Sequence, residues 1–345
     1  MVSPSLAPVE AALHERRSVV RHHAMRRTVW VMTPPVARAA HAACTVKLAA
    51  VEWRLLERMV AESGIAEDAA AWVEGAKAHT LAALHELGTA GARELGRHVP
   101  ELTAKLLLSV GKPYAGTQGA HSRILQNLGF DGAIIRGRPT GSWIGGEYTW
   151  SVAGDWLPGG LTGADPREAA RELADRYLRA FGPVTSADLR WWAGWTATMA
   201  DRALADVGAV PVAVDEGPAW LHPGDTDPVD DAEPSVALLP SLDPTTMGWK
   251  QRTWTLGDHG AFAGPLFDRN GNAGPTVWVD GRVVGAWAQR PDGTVVHHLL
   301  TAVPARRAAQ VARAAERLTA FLDGQVVRPR YPTALQVALT NGTAP

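Results

Sequence analysis

One cysteine, Cys44, stands among 345 residues. A lone thiol excludes a disulfide framework and any cysteine-rich zinc site. No run of about 18 apolar residues occurs, so the sequence offers no membrane-spanning helix. The first thirty residues carry Arg16, Arg17, Arg21, Arg26 and Arg27 where a secretory signal would hold its apolar core, and the chain reads as cytoplasmic and reduced. Several catalytic signatures are missing as well. There is no G-x-x-x-x-G-K-S/T, no H-E-x-x-H, no G-x-S-x-G and no C-x-x-C. Their absence removes the phosphate-cradling loop, the helix-borne zinc pair, the nucleophile elbow and the paired thiols from consideration. No metal and no small-molecule cofactor is expected.

An excess of one charge is lacking too, since 34 Lys+Arg meet 35 Asp+Glu. The balance is uneven along the chain. Residues 201–234 hold nine acids and one base, a net of −8 that leaves +7 on the rest of a chain whose total is −1. Residues 1–60 hold nine bases against four acids, with His14, His22 and His23 close together. Overall charge would argue against a nucleic-acid partner, whereas the segment charges allow one. With 46% hydrophobic and 20% charged residues the composition is that of a soluble globular protein. At about 150 residues per domain the length suits two or three folding units, each able to bury a core.

Pro8 to Arg27 contains no helix breaker, and Val9, Leu13, Val19 and Val20 share a face. This predicts a helix that runs into a β-branched segment at Thr28–Met32 and is stopped by Pro34-Pro35. Leu48, Val51, Leu55 and Met59 mark a second helix, and a third covers about Glu67 to Leu87, with Gly88 as its stop. A short helix over Thr89–His98 and a broken stretch around Gly111–Gly119 precede a helix from about Gln118 to Leu128. After Gly129 the pattern changes to a β-hairpin, and helices followed by a hairpin are the order of a winged helix. A similar order recurs about ninety residues on, with a helix over Arg167–Ala180, Thr185 and Asp188 as an N-cap pair, a helix over Thr196–Val207, and strands in AVPVAVDEGPAWLH. Past the acidic linker PVDDAEPS, three strands separated by Asp280-Gly281 and Pro291-Asp292-Gly293 form a meander, and the run from Arg306 to Leu322 is a helix packed over it. The fold class is α+β, mostly helical.

Fourteen of the 23 aromatics are tryptophan, and several adjoin bases, as in Arg26-Arg27-Thr28-Val29-Trp30, Arg190-Trp191-Trp192 and Trp249-Lys250-Gln251-Arg252. Such indoles stack on bases or pack in cores. HERRSVVRHHAMRR places Arg16, Arg17, Arg21, Arg26, Arg27 and three histidines, among them His22, in fourteen residues. It reads as a phosphate-contacting surface or as a charged helix neutralised by the acidic segment. Arg136-Gly137-Arg138-Pro139 matches the core of an AT-hook, with a tight turn carrying two arginines as the plain alternative. Asp243 and Asp268 are possible catalytic carboxylates, but Pro244 and Asn270-Gly271 mark both as turn-formers. His297 and His298 adjoin in a strand and face opposite ways.

MRRTVWV, SRILQNLGFDGAIIRGRPTGSW, RYLRAFGPVTSADLRWWAGW, LLPSLDPTTMGWKQR and GPTVWVDGRVVGAW, in that order, resemble the bacterial AlkZ-like DNA glycosylases, also described as winged helix DNA-binding domain proteins. The resemblance spans about residues 12–330. It implies tandem winged-helix units: 1–66 a partial first, 67–160 a second, 161–228 a third, and 229–345 a β-rich C-terminal domain with a packed helix. It further implies excision of N7-alkylated purines, including bulky adducts and crosslinks, from duplex DNA by a monomer. Alkylation at N7 makes the base a good leaving group, so the protein must expose C1′, position a water and stabilise an oxocarbenium-like sugar. The family's Gln-x-Gln or Gln-x-Asp pair has no counterpart, because no glutamine precedes Gln118. The chain is expected to be N-terminally short: either translation starts further upstream, or the protein binds DNA without cutting it. Trp30 stands where many members carry histidine.

Carried over residue by residue, Arg26, Arg27 and Thr28 would face DNA beside the lesion, with Trp30 just after them. Arg136, Arg138 and Trp143 would lie on the second wing, and Arg123, Gln126 and Asn127 on the helix before it. Asp201 and Asp206 would repel phosphates, making the third unit chiefly scaffold. Two further readings stand beside this one, a transcriptional regulator built of the same modules and a shield that binds alkylated DNA without turnover.

Overall fold

A computed structural model describes residues 5–109, 111, 115–141, 143, 146–256, 263–329 and 332–343. The fold is α+β and mostly helical, with five small antiparallel sheets among the described residues. Among those residues no helix is long and apolar enough to cross a membrane. The chain forms two compact units, Met1–Tyr177 with Ala193–Val207, and Leu178–Trp192 with Gly208–Pro345.

The first unit opens on the helix Ala7–Glu10, which continues in a wider turn through Ala11–Glu15. The helix expected to reach Arg27 therefore ends at Glu15. Arg17 takes a left-handed φ of 53°, and Val19 and Val20 are β-branched, a type that loses rotamer freedom in a helix and suits a pleated strand. Val20–His23 and Val29–Met32 pair instead as a hairpin, Val20 opposite Met32 and His23 opposite Val29. Arg26 and Arg27 turn the chain between them at φ of 53° and 62°, a conformation that glycine or asparagine usually fills. Pro34 and Pro35 do more than stop the preceding element. They begin the helix Pro34–Ala40, in whose first turn a missing N–H costs nothing.

That helix runs through His41–Thr45 into Val46–Glu62, burying Ala37, Ala39, Ala40, Ala42 and Ala43. In Val46–Glu62 the buried stripe is Ala49, Glu52, Trp53, Leu56, Met59 and Val60. Of the four residues whose spacing marks this helix in the sequence only Met59 is buried, and Val51 is 45% exposed. The helix forms as the spacing predicts, with its buried stripe beside that line of residues. Ala69–Leu87 starts where the Asp68 carboxylate accepts from Ala71 N at 2.9 Å and stops at Gly88, φ 71°. Ala92–His98 and Ala120–Phe130 follow, and Lys105–Leu108 pairs with Gly116–Gly119 in a hairpin hidden by the density of glycine and proline there. Ile134–Pro139 and Tyr148–Val152 form the expected hairpin, joined by Ala90–Gly91 into a three-stranded sheet. Leu56, Leu84, Leu95, Leu106, Ile124 and Phe130 lie at the centre of this core.

Pro166–Phe181 begins in the first unit and ends in the second. In the second unit the capping pair is reciprocal: Asp188 Oδ2 accepts from Thr185 N and Oγ1 at 3.0 and 2.7 Å, and Thr185 Oγ1 accepts from Asp188 N at 3.1 Å. Val236–Leu239, Thr276–Val279, Arg282–Gln289 and Val295–Leu299 form a four-stranded antiparallel meander, one strand more than expected. Val311 of the helix Ala305–Leu322 packs on Val277, Val279 and Val284. Leu335 and Leu339 of Ala334–Asn341 pack with Trp278, Val283 and Ala286. Asp243 caps Thr245 N at 2.9 Å and Asp268 accepts from Asn270 and Asn272 N at 2.8 and 2.9 Å, which makes both turn-formers, as expected.

Candidate nucleic-acid interface

The arginine-rich hairpin Val20–Met32 and the hairpin Ile134–Val152 share a layer of arginine and aromatic side chains in the first unit. Arg17 donates to the Trp156 carbonyl at 2.7 Å and stacks 4.0 Å from that indole's centroid. Arg21 donates to the Gly137 carbonyl and lies 5.1 Å from the Trp143 ring. Arg136 lies 4.3 Å from the Tyr148 ring and 5.4 Å from Trp150. Each such contact is worth about 0.5–2 kcal/mol, more as it is desolvated. Burial holds the Arg21 and Arg136 guanidiniums below their ordinary pKa. Arg138 pairs with Glu10 at 3.1 Å and with Glu15 at 3.8 Å. Glu10 also accepts from Trp143 Nε1 at 2.9 Å, and that bond is the first cause lowering its pKa. Trp143 is thus an indole fixed by its nitrogen and 38% exposed. Arg136-Gly137-Arg138-Pro139 lies in the strand Ile134–Pro139 and not in a tight turn. A Cβ on Gly137 would meet Thr149 Oγ1 at 2.5 Å, which fixes glycine there.

Behind that layer are three buried histidines. His22 Nε2 is 3.3 Å from His41 Nδ1, and His23 Nε2 is 3.2 Å from Arg136 Nη2. Burial, then the neighbouring His41, pushes the His22 pKa to about 3; burial, then Arg136, does the same for His23; burial takes His41 to about 4. All three are neutral near pH 7, and neutral His23 accepts from Arg136. His22, expected at the DNA surface, is 3% exposed.

The turn itself forms a second group. Arg27 Nη1 is 2.7 Å from Glu52 Oε1 and Arg123 Nη1 is 3.6 Å from Oε2, so one buried carboxylate ties the turn to the helix Ala120–Phe130. Thr28 Oγ1 donates to the Met25 carbonyl and accepts from Trp30 Nε1, both at 2.8 Å, which orients the indole. Gln126 is half-buried on the same helix. Asn127 is 1% exposed, and neither amide atom has a partner among the described residues, so it belongs to the interior. Arg16 is exposed, 3.5 Å from the Pro8 carbonyl. The structure therefore brings Arg17, Arg21, Arg136, Arg138 and Trp143 into one layer and Arg27, Thr28, Trp30 and Arg123 around one turn. Glu52, Glu10, His41 and Trp156 escaped sequence reasoning. Only Glu52 had a signal, since it falls with Ala49, Trp53 and Leu56 on a single helical stripe.

The family model described as DNA glycosylase AlkZ-like matches residues 4–321. The chain belongs to the AlkZ-like DNA glycosylase family. A search of curated proteins found no match. Among solved structures, the Streptomyces sahachiroi DNA glycosylase AlkZ is similar, with 20% identity, a TM-score of 0.64, and 95% of this chain and 85% of that chain covered. The AlkZ-like chain thus shares that protein's fold, and its family points to DNA as the substrate. In the AlkZ-like sequence the block MRRTVWV supplies the turn and most of the second strand of the hairpin just described.

Proposed function

We propose that this AlkZ-like protein is a DNA-repair glycosylase that binds duplex DNA and releases N7-alkylated purines. The family match over residues 4–321 carries the reading. The order of elements supports a division into winged-helix units at 1–66, 67–160 and 161–228 followed by a β-rich part, 229–345, since helices precede a hairpin in both 67–160 and 161–228. An N7-alkylated purine already carries the positive charge that weakens its glycosidic bond. The protein has to hold the duplex, expose C1′ and stabilise the cationic sugar. Trp143, held by Glu10, offers an aromatic face at which a base could stack, and the Arg26–Thr28 turn, with Trp30 just after it in sequence, offers a rigid edge. Pairing within the fold makes Arg17, Arg21, Arg27, Arg136 and Arg138 a scaffold for these groups before it makes them phosphate ligands.

Single-turnover release of base from a duplex carrying one N7-methylguanine, with protein in excess, tests this reading. Abasic sites forming well above the no-protein rate are expected. No release from protein that still retains the duplex would replace the reading with a shield for alkylated DNA. A preference of about 10³ or more for one undamaged sequence would replace it with a regulator.

A further inference from the structure

The arginines singled out by the sequence are engaged by carboxylates, carbonyls and rings, so the cations free to meet a polyanion lie elsewhere. Two helices carry them in the same pattern. On Val46–Glu62, Lys47, Arg54 and Arg58 are exposed at i, i+7 and i+11. On Ala305–Leu322, Arg306, Arg313 and Arg317 are exposed at the same spacing. At 3.6 residues per turn the second and third positions fall within about 20° of the first, one on either side. Each stripe runs opposite the buried face, which holds Ala49 and Leu56 in one helix and Val311 and Ala315 in the other. The rise of about 1.5 Å per residue spaces the three along the axis by about 10 and 6 Å.

These side chains are left unpaired while their neighbours are not. Arg54, Arg58, Arg306, Arg313 and Arg317 make no ion pair or side-chain hydrogen bond among the described residues, and Lys47 Nζ has only Met199 Sδ at 3.8 Å. On the same helix as the second stripe, Arg307 is held by Asp280 at 2.9 Å and Gln310 at 2.8 Å. Glu316, three residues from Arg313, does not pair with it. Both stripes also set like charges at i, i+4, Arg54 with Arg58 and Arg313 with Arg317, which costs a helix about 0.2–0.5 kcal/mol per pair. A row of fixed anions removes that repulsion. Cations without a carboxylate partner release counterions when they meet phosphate, whereas a paired arginine must first give up its pair.

We infer that the two stripes are phosphodiester tracks, one in each compact unit, that hold the backbone of duplex DNA; the inference rests on the DNA-binding reading above. The logarithm of the affinity of the whole chain for undamaged duplex, measured against the logarithm of salt concentration, tests it. Lys47→Gln with Arg54→Gln and Arg58→Gln should lower the slope by about 2–3, since one phosphate contact carries about 0.9. Arg306→Gln with Arg313→Gln and Arg317→Gln should do the same. Arg171→Gln with Arg176→Gln, which removes exposed arginines paired to Glu168 and Glu172, should leave it unchanged. Single variants Arg58→Gln and Arg313→Gln, each expected to lower the slope by about 0.9, decide the matter if a triple variant fails to melt like the parent. A stripe whose removal leaves the slope where it was is no track. A parent chain without salt-dependent duplex binding would instead overturn the DNA-binding reading beneath both.

Discussion

Glu52 holds two arginines from a position 5% exposed, and the turn Arg26-Arg27 depends on it for its direction. Glu52→Gln should destabilise the protein by about 1–3 kcal/mol. That is less than the loss for a fully buried pair, because the Arg27 side chain is half exposed and its charge stays hydrated. An unchanged urea midpoint would show the carboxylate to be incidental. Asn127 is the opposite case, a buried amide without partners among the described residues. Asn127→Leu should raise stability by about 1 kcal/mol, the desolvation cost of unmet hydrogen bonds being returned, and differential denaturation reads the sign. The clustering of charge in HERRSVVRHHAMRR was visible in the sequence, but its fate was not. Arg17, Arg21 and Arg138 find their partners at Trp156, Gly137 and Glu10, more than a hundred residues away in each case. Local spacing carries no record of such pairs.

At the scale of elements, the hairpin Val20–Met32, the helix through His41 and the strand Ile134–Pro139 share the buried histidines. In the unfolded chain each histidine titrates near 6.5, and in the fold His22 and His23 lie near 3 and His41 near 4. Between those limits the unfolded state binds more protons. Stability is therefore full well above pH 6.5 and falls progressively as pH drops through 6.5 toward 3, by up to about 2 kcal/mol per histidine at pH 5. Urea midpoints at pH 7.5, 6.5 and 5 should decline in that order, and His41→Gln should flatten the decline; a level profile in the parent would contradict the burial. Gly132, φ 73°, lets this junction close, since a Cβ there would meet His41 Cε1 at 2.8 Å. Gly132→Ala should cost about 1–3 kcal/mol through left-handed strain and that contact. Helices and hairpins with clear stops, such as Ala69–Leu87 before Gly88 and the turns at Asp280-Gly281 and Gly293, were legible because their signals are local. The Val20–His23 strand was not, because a breaker-free run suits helix and strand alike until a tertiary partner chooses.

For the molecule as a whole, the near-zero net charge conceals cations that are internally spent and cations that are not, and only coordinates separate them. Fold class and family were legible from five short blocks in order, while the free stripes were not, since nothing in sequence tells a solvated arginine from a paired one. The two compact units are also interleaved along the chain: the first needs residues up to Val207, yet Leu178–Trp192 of the second has been made by then. During synthesis, at about 5–20 residues per second, the Asp188 carboxylate, buried in the finished protein, waits several seconds or more for Lys250 and Gln251, whose backbone N–H groups donate to it at 2.8 and 3.0 Å. A nascent chain so ordered carries the helix Ser186–Ala193 for that interval without the backbone amides that its buried carboxylate accepts from.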